Sequence, residues 1–172
     1  VGNGIRKLID RAVPEGTSVE KTDKVFATFR EYYATHSRVK TSMYEGMEQV
    51  MDALKEQNIS MAIVSNKADD AVKDLAKYYF AKYIDVAIGE REGISRKPAP
   101  DSVYEAMRLL GATKENTVYV GDSDVDRATA KNAGIPCISV TWGFRSEELL
   151  VSLEPEYLIH KPEEILSVVT GK

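Results

Sequence analysis

The chain has 172 residues, of which 43% are hydrophobic, and this suits one compact domain or one domain with a small appendage rather than a fibrous or disordered protein. Its formal net charge is −4 and its basic residues are scattered, which argues against a nucleic-acid partner or an anionic membrane. Its single cysteine, Cys137, cannot form an internal disulfide, and no apolar stretch is long enough to span a bilayer, so we expect a cytoplasmic protein.

The N-terminal part of the sequence favours a small helical unit. Apolar residues recur at helical spacing from Ile5 to Val13, and Pro14 and Gly16 end that stripe. A second helix is expected from about Val19 to Ser37. The first residue is Val1 rather than a methionine, and it lies in a segment patterned like the first turn of a helix, so we expect the natural start to lie upstream.

From residue 47 onwards, helical patterns alternate with short apolar runs of the kind that form buried parallel strands. The expected strands are 61–65, 86–88, 117–121, the run CISVT and the run YLI. The expected helices are 47–54, 69–79, 101–110, 124–132 and one that Pro162 opens. This alternation predicts an α/β fold with a parallel sheet, right-handed crossovers and helices on both faces of the sheet.

The polar residues that follow each strand are the first candidates for a site, because ligands of open α/β sheets bind beyond the carboxyl ends of the strands. Ser65, Asn66 and Lys67 follow the strand at 61–65 and precede a helix. A hydroxyl and backbone amides at a helix start can hold an oxyanion. On this motif alone, a plain helix N-cap formed by Ser65 or Asn66 is the alternative.

The second candidate is Lys97, which lies in the motif RKPAPD beside the prolines Pro98 and Pro100. The prolines restrict the backbone and set the start of the next helix. A lysine held in this way can neutralise phosphate charge as a compact donor. A solvated surface lysine is the alternative.

The third candidate is the motif GDSDVD, which covers residues 121–126. Asp122 ends a strand, and Asp126 follows it by about one helical turn, on the same face of the next helix. Helix capping explains one aspartate at this position, but three carboxylates, with Asp124 included, are better explained by a cation. Carboxylate oxygens suit Mg²⁺, which keeps several of its own waters.

Along the chain, a hydroxyl, a lysine and an acidic cluster follow the ends of successive strands. Residues of these types in this order are typical of a phosphoryl-transfer site. With them, the sequence resembles the haloacid dehalogenase superfamily phosphatases, and within these the phosphoglycolate phosphatase group. SNK is similar to the second motif of the family, KPAPD to the third and GDSDVD to the fourth. The resemblance implies a helical cap domain that includes residues 1–40 and a Rossmann-like α/β core over residues 41–172.

In that family a DxDGT motif on the central first strand supplies the aspartate that attacks phosphorus and the aspartate that acts as general acid and base. The 172 residues contain no such motif. The resemblance implies that this strand lies before Val1, so we expect unpaired backbone between the strands at 61–65 and 117–121. We expect the same protein, rather than a partner chain, to supply the strand, and we expect the 172 residues alone to be inactive.

The resemblance also implies roles for individual residues. Asp122 and Asp126 would hold Mg²⁺, and Asp126 would position Lys97 or a metal-bound water. The catalytic side chains would be those of Ser65, Lys97 and Asp126. The residues expected to bind phosphate or substrate are Ser65, the amide of Asn66, Lys97 and, in a cap loop, Asn3. A helix N-cap is the alternative for Asn3.

The implied function is Mg²⁺-dependent hydrolysis of a small phosphorylated metabolite, with phosphoglycolate as the first choice, by a monomer or homodimer. Inorganic pyrophosphatase, nucleotidase and sugar-phosphate mutase of the same superfamily stay open. The motif SNK favours a phosphatase, because the mutases tend to carry small residues there. A hypothesis of another class is a catalytically inactive truncated form or pseudoenzyme that keeps an anion site.

Overall fold

The computed structural model describes residues 4–171 and divides into two compact units, the first ending at Ser42 and the second beginning at Met43. In the first unit, helices α1 (Ile5–Ala12) and α2 (Val19–His36) pack against each other. Helix α2 begins after Ser18, whose hydroxyl accepts a hydrogen bond from the backbone of the first turn. Both predicted helices are present, and their assignment to a cap stays a prediction.

The second unit alternates helices with strands, as the sequence predicts. Its elements are α3 (Met47–Glu56), β1 (Met61–Ala68), α4 (Asp69–Tyr79), β2 (Ile84–Glu90), α5 (Asp101–Leu110), a 3-10 turn (Lys114–Asn116), β3 (Tyr119–Gly121), α6 (Asp124–Ala133), β4 (Cys137–Val140), α7 (Glu147–Ser152), β5 (Tyr157–Ile159) and α8 (Glu164–Thr170). The named strands pair in parallel throughout. The predicted α/β class is confirmed.

The strands form two hydrogen-bonded groups, β1–β2 and β3–β4–β5. Within residues 4–171, β1 and β3 do not pair with each other, and both line an apolar cavity of about 630 Å³. The residues around this cavity carry no charged side chain. The arrangement matches the gap that the resemblance predicts between these two strands.

Strand β1 is longer and less buried than the sequence predicts. It continues past residue 65 to Ala68, because Ala68 pairs with Glu90 of β2 after an irregular step in the register that follows Val64. Residues 61–64 are only half-buried, since they line the cavity instead of lying beside another strand. The polar motif SNK therefore lies within the irregular end of a strand.

Strand β4 separates two hydrophobic clusters, and all four of its residues are buried. Cys137 faces a cluster with side chains of α5, β3 and α6, whereas Ile138 and Val140 face a cluster with side chains of α3, β5 and α8. The sheet is thus covered by helices on both faces. Burial raises the pKa of the Cys137 thiol to about 11, so this thiol stays protonated near neutral pH. In the part of the chain that the structure describes, no helix is both long and apolar enough to cross a membrane.

The adjacent leucines of α7 test the burial of this helix against the rest of the second unit. Leu150 is fully buried, whereas Leu149 is 39% exposed. We expect Leu150→Ala to lower the free energy of unfolding by about 2–5 kcal/mol, because the truncation leaves a cavity. The control Leu149→Ala should cost less than about 1 kcal/mol. Urea unfolding measures both, and equal losses would contradict this packing.

Candidate active site

Lys97 and Asp126 form a buried ion pair at the centre of the candidate site. The Nζ atom of Lys97 lies 2.8 Å from Oδ1 of Asp126, and the two side chains are only 12% and 10% exposed. A lysine in this environment is not the solvated surface residue that the sequence left open as an alternative. Buried charges persist when they are paired and hydrogen-bonded, so each of these groups depends on the other.

Two residues that the sequence did not single out complete the surroundings of Asp126. The hydroxyl of Tyr119 donates to Oδ1 at 3.0 Å, and the hydroxyl of Ser123 donates to Oδ2 at 2.5 Å. The Nζ of Lys97 also donates to the hydroxyl of Tyr119 at 3.0 Å and to the carbonyl of Val64 at 3.3 Å. Both oxygens of Asp126 and the ammonium of Lys97 are therefore fixed in position.

The electrostatics of this cluster keep Asp126 charged. Burial raises the pKa of Asp126, but the Lys97 charge and the hydrogen bonds from Lys97, Ser123 and Tyr119 outweigh burial and bring this pKa below its ordinary value. Burial, together with the neighbouring carboxylate of Asp126, raises the pKa of Tyr119 well above its ordinary value, so its hydroxyl stays a donor. The cluster is thus an ammonium, a carboxylate and a neutral phenol.

Tyr119→Phe tests the contribution of this phenol. The change removes a buried hydroxyl that bonds two charged groups, and we expect the free energy of unfolding to fall by about 1–3 kcal/mol. Tyr104→Phe is the matched control, because the Tyr104 hydroxyl donates to a backbone carbonyl at the surface and its loss should cost less. Urea unfolding of both variants gives the comparison. A wild-type free energy of unfolding in Tyr119→Phe would show that this hydroxyl does not stabilise the Lys97–Asp126 pair.

Asn66 fixes the backbone of Lys97. Its side-chain Nδ2 donates to the carbonyl of Lys97 at 3.0 Å, and its Oδ1 accepts from the amide of Lys97 at 2.8 Å. The Asn66 side chain therefore reaches across to the loop that carries Lys97, and the phosphate contact expected from the backbone amide of Asn66 stays a prediction. Two motifs that are distant in the sequence are therefore joined directly.

Ser65 lies at the irregular end of β1, and its Oγ accepts a hydrogen bond from the amide of Lys67 at 3.2 Å. The N-cap residue of α4 is Ala68, so the alternative of a plain N-cap at Ser65 or Asn66 is wrong. The helix does not start at SNK because the strand continues to Ala68 by pairing with β2. The amides of SNK are therefore strand amides rather than the N-terminal amides of α4.

The three aspartates of GDSDVD have three different environments. Asp126 is paired with Lys97, Asp124 Oδ1 lies 2.7 Å from Nε of Arg145, and Asp122 Oδ2 accepts from the amide of Phe144 at 2.7 Å. Within the described residues, no group of three or more His, Cys, Asp or Glu side chains could hold a metal ion. The three carboxylates therefore do not converge on one point.

The donor set still fits Mg²⁺ through Asp122. Asp122 offers hard carboxylate oxygens, and only its Oδ2 has a hydrogen-bond partner within residues 4–171. Both oxygens of Asp126 already accept hydrogen bonds, so its place as a metal ligand stays a prediction. Asn3, predicted to face the substrate, lies outside the described residues.

Comparison with known proteins identifies the family. The model of the haloacid dehalogenase-like hydrolase family matches residues 2–140, which is most of the chain. The chain belongs to the haloacid dehalogenase-like hydrolase family. The resemblance that the sequence motifs indicated is confirmed.

Individual members of the haloacid dehalogenase-like hydrolase family are similar over most of this chain. Pyrophosphatase PpaX of Halalkalibacterium halodurans is 30% identical over 89% of this chain and 72% of its own length. Phosphoglycolate phosphatase 1 of Pseudomonas aeruginosa is 30% identical over 96% of this chain and 63% of its own length. A crystal structure from Lactobacillus delbrueckii subsp. bulgaricus, provisionally named a phosphoglycolate phosphatase, superposes with a TM-score of 0.92 at 32% identity, over 100% of this chain and 81% of the other.

In this haloacid dehalogenase-like hydrolase, hydrogen bonds join Asn66 of β1, Lys97 on the loop before α5 and Asp126 of α6. Ser65 precedes Asn66 in β1 and Asp122 follows β3, and within residues 4–171 neither is hydrogen-bonded to Lys97 or Asp126. Sequence reasoning missed Ser123 and Tyr119. Ser123 carries a signal, because a serine directly before an acidic helix start is a favoured N-cap. Tyr119 carries none, since a tyrosine in an apolar strand reads as a core residue.

Proposed function

We propose that this hydrolase is a Mg²⁺-dependent phosphatase of small phosphomonoesters, with phosphoglycolate as the preferred substrate, acting in the cytoplasm. The observation that carries the proposal is the buried Lys97–Asp126 pair, which holds an ammonium beside the ends of β1 and β3. A fixed cation at this edge of the sheet suits an anionic substrate, because ligands of such sheets bind there. The phosphoglycolate phosphatase of Pseudomonas aeruginosa supports the choice of substrate.

Each side chain has a role in this proposal. The ammonium of Lys97 neutralises charge on the phosphoryl oxygens, and Asp126 positions that ammonium instead of contacting the substrate. Because Ser65 Oγ accepts from a backbone amide, its own proton is available to a phosphoryl oxygen. Asp122, with Asp126 as the predicted second ligand, would hold Mg²⁺, which supplies further charge neutralisation when bound.

The covalent step is assigned to an aspartate of a DxDGT segment upstream of Val1. Its carboxylate oxygen would form a bond to phosphorus as the bond to the ester oxygen breaks, and the second aspartate of that segment would protonate the leaving oxygen. Water would then release phosphate from the aspartyl phosphate. The residues described above would bind and orient the phosphoryl group throughout.

Inorganic pyrophosphate is the second candidate substrate. Pyrophosphatase PpaX of Halalkalibacterium halodurans is as similar in sequence, at 30% identity, as the phosphoglycolate phosphatase is. A site that neutralises a phosphoryl group with Lys97 and a hydroxyl accepts either substrate. The preference of the enzyme therefore depends on the part of each substrate that remains after the phosphoryl group is transferred.

Phosphate release by the complete gene product tests the proposal. Phosphoglycolate, pyrophosphate, a nucleoside monophosphate and glucose 1-phosphate are compared at one Mg²⁺ concentration. We expect kcat/KM for phosphoglycolate to exceed that for each of the others by about tenfold or more. A preference for pyrophosphate replaces the first candidate with the second. Release of phosphate from none of them would support the inactive form instead.

A further inference from the structure

The segment that follows β4 contacts two of the three aspartates of GDSDVD. The backbone amide of Phe144 donates to Oδ2 of Asp122 at 2.7 Å, and the guanidinium of Arg145 pairs with Asp124. We name residues 143–145 the aspartate clamp. The chain after β4 thus contacts the motif GDSDVD with a backbone amide, at Asp122, and with a side chain, at Asp124.

Gly143 makes the contact between the aspartate clamp and Asp122 possible. A Cβ atom built on Gly143 would lie 2.1 Å from Cβ of Asp122 and 2.2 Å from its Oδ2. The φ angle of Gly143 is outside the left-handed region, so a side chain is excluded by lack of space and not by backbone conformation. The carboxylate of Asp122 therefore rests directly on the backbone of the clamp.

The side chain of Phe144 does not explain why the segment lies here. It is 67% exposed, so its burial contributes little to the position of the clamp. The segment is held instead from its N-terminal side, where the amide of Thr141 donates to the carbonyl of Ile159 at 3.1 Å and Trp142 packs against a core cluster. The segment that carries the Phe144 amide is thus anchored to the sheet through Thr141 and Trp142.

We propose that the aspartate clamp positions Asp122 for a divalent cation, an inference that rests on the proposed function. The charge-assisted bond from the Phe144 amide fixes the rotation of the Asp122 carboxylate and commits Oδ2, which leaves Oδ1 for the cation. The Arg145 pair keeps the neighbouring carboxylate of Asp124 engaged, so that it does not compete for the cation. Hydrogen-bond partners of this kind orient metal ligands and tune their affinity.

The test measures Mn²⁺ binding, as a spectroscopic substitute for Mg²⁺, by electron paramagnetic resonance on the complete gene product. Phe144→Pro removes the donating N–H, Phe144→Ala keeps it, and Gly143→Ala inserts a Cβ against Asp122. We expect Phe144→Pro and Gly143→Ala to raise the Kd for Mn²⁺ by about tenfold or more, and Phe144→Ala to change it by less than about twofold.

Several results would contradict the proposal that the aspartate clamp positions Asp122. One is equal loss of affinity in Phe144→Pro and Phe144→Ala, which would assign the effect to the side chain. Another is a wild-type Kd for Mn²⁺ in Gly143→Ala. Thermal unfolding shows whether Phe144→Pro folds, and if it does not, Gly143→Ala alone tests whether the clamp positions Asp122. Hydrolysis of p-nitrophenyl phosphate by the unmodified protein is measured in parallel. Mn²⁺ binding that responds to the clamp without any hydrolysis would refute the proposed function and leave the clamp standing.

Discussion

Lys97→Met is expected to lower the free energy of unfolding by about 3–5 kcal/mol, because the change leaves Asp126 buried without its cation. The same change should reduce turnover by about a hundredfold or more, since it removes the positive charge next to the phosphoryl group. Urea unfolding and phosphate release measure the two effects. Lys82→Met is the matched control, because the Lys82–Asp52 pair is exposed and screened, so its loss should be small.

The pH dependence of this variant identifies the cause. In the wild type, the lowered pKa of Asp126 contributes stability that is present above its ordinary value of 3.8 and is lost as pH falls through the folded pKa. In Lys97→Met, the lysine charge no longer offsets the effect of burial, so the pKa of Asp126 should rise. The variant should then lose stability as pH rises, because Asp126 must ionise while it is buried without a cation. The difference between wild type and Lys97→Met should therefore shrink from pH 7 towards about pH 4. A difference that is independent of pH would contradict the pairing.

Adding a second change separates stability from catalysis. In Lys97→Met with Asp126→Leu, no buried charge is left unpaired, so we expect most of the lost stability to return. Turnover should not return, because the phosphoryl group still lacks its ammonium and the carboxylate of Asp126, the predicted second Mg²⁺ ligand, is absent as well. Recovery of both properties together would show that Lys97 acts through folding alone.

Asp122→Asn is expected to lower Mg²⁺-dependent turnover of the complete gene product by about a hundredfold or more, because charge neutralisation by a metal is worth several kcal/mol in phosphoryl transfer. Asparagine keeps the shape of the side chain, so the bond from the Phe144 amide can persist while the negative charge is lost. Initial rates over a range of Mg²⁺ concentrations measure the effect.

The control for Asp122→Asn is Asp85→Asn, which changes an exposed aspartate of β2 away from the cluster. Asp85→Asn should keep the wild-type dependence on Mg²⁺. Wild-type turnover in Asp122→Asn would remove the metal assignment. A loss that excess Mg²⁺ fully restores would limit the role of Asp122 to affinity.

Much of the fold follows from local patterns in the sequence. The alternation of helical and strand periods predicts the order of the elements, and the predicted helices at 69–79 and 101–110 coincide with α4 and α5. The site could be predicted in part for the same reason. Lys97 and Asp126 belong to motifs that follow successive strands, and parallel strands bring such residues to one edge of the sheet.

The remaining features depend on tertiary contacts that no local pattern encodes. The extension of β1 through SNK results from pairing with β2, although Asn66 and Lys67 have no strand pattern. Tyr119 reads as a core residue until its hydroxyl is seen between Lys97 and Asp126. The contact of Asp122 with the Phe144 amide uses the backbone, which every residue possesses, so side-chain identity could not reveal it.

The most direct test of the proposed function is phosphate release from phosphoglycolate by the complete gene product, measured with Mg²⁺ and again after removal of divalent cations with EDTA. The proposed function predicts hydrolysis with Mg²⁺, loss of hydrolysis in EDTA and its return when Mg²⁺ is added in excess. Hydrolysis at the same rate in EDTA, or no hydrolysis with Mg²⁺ by a folded protein, would contradict it.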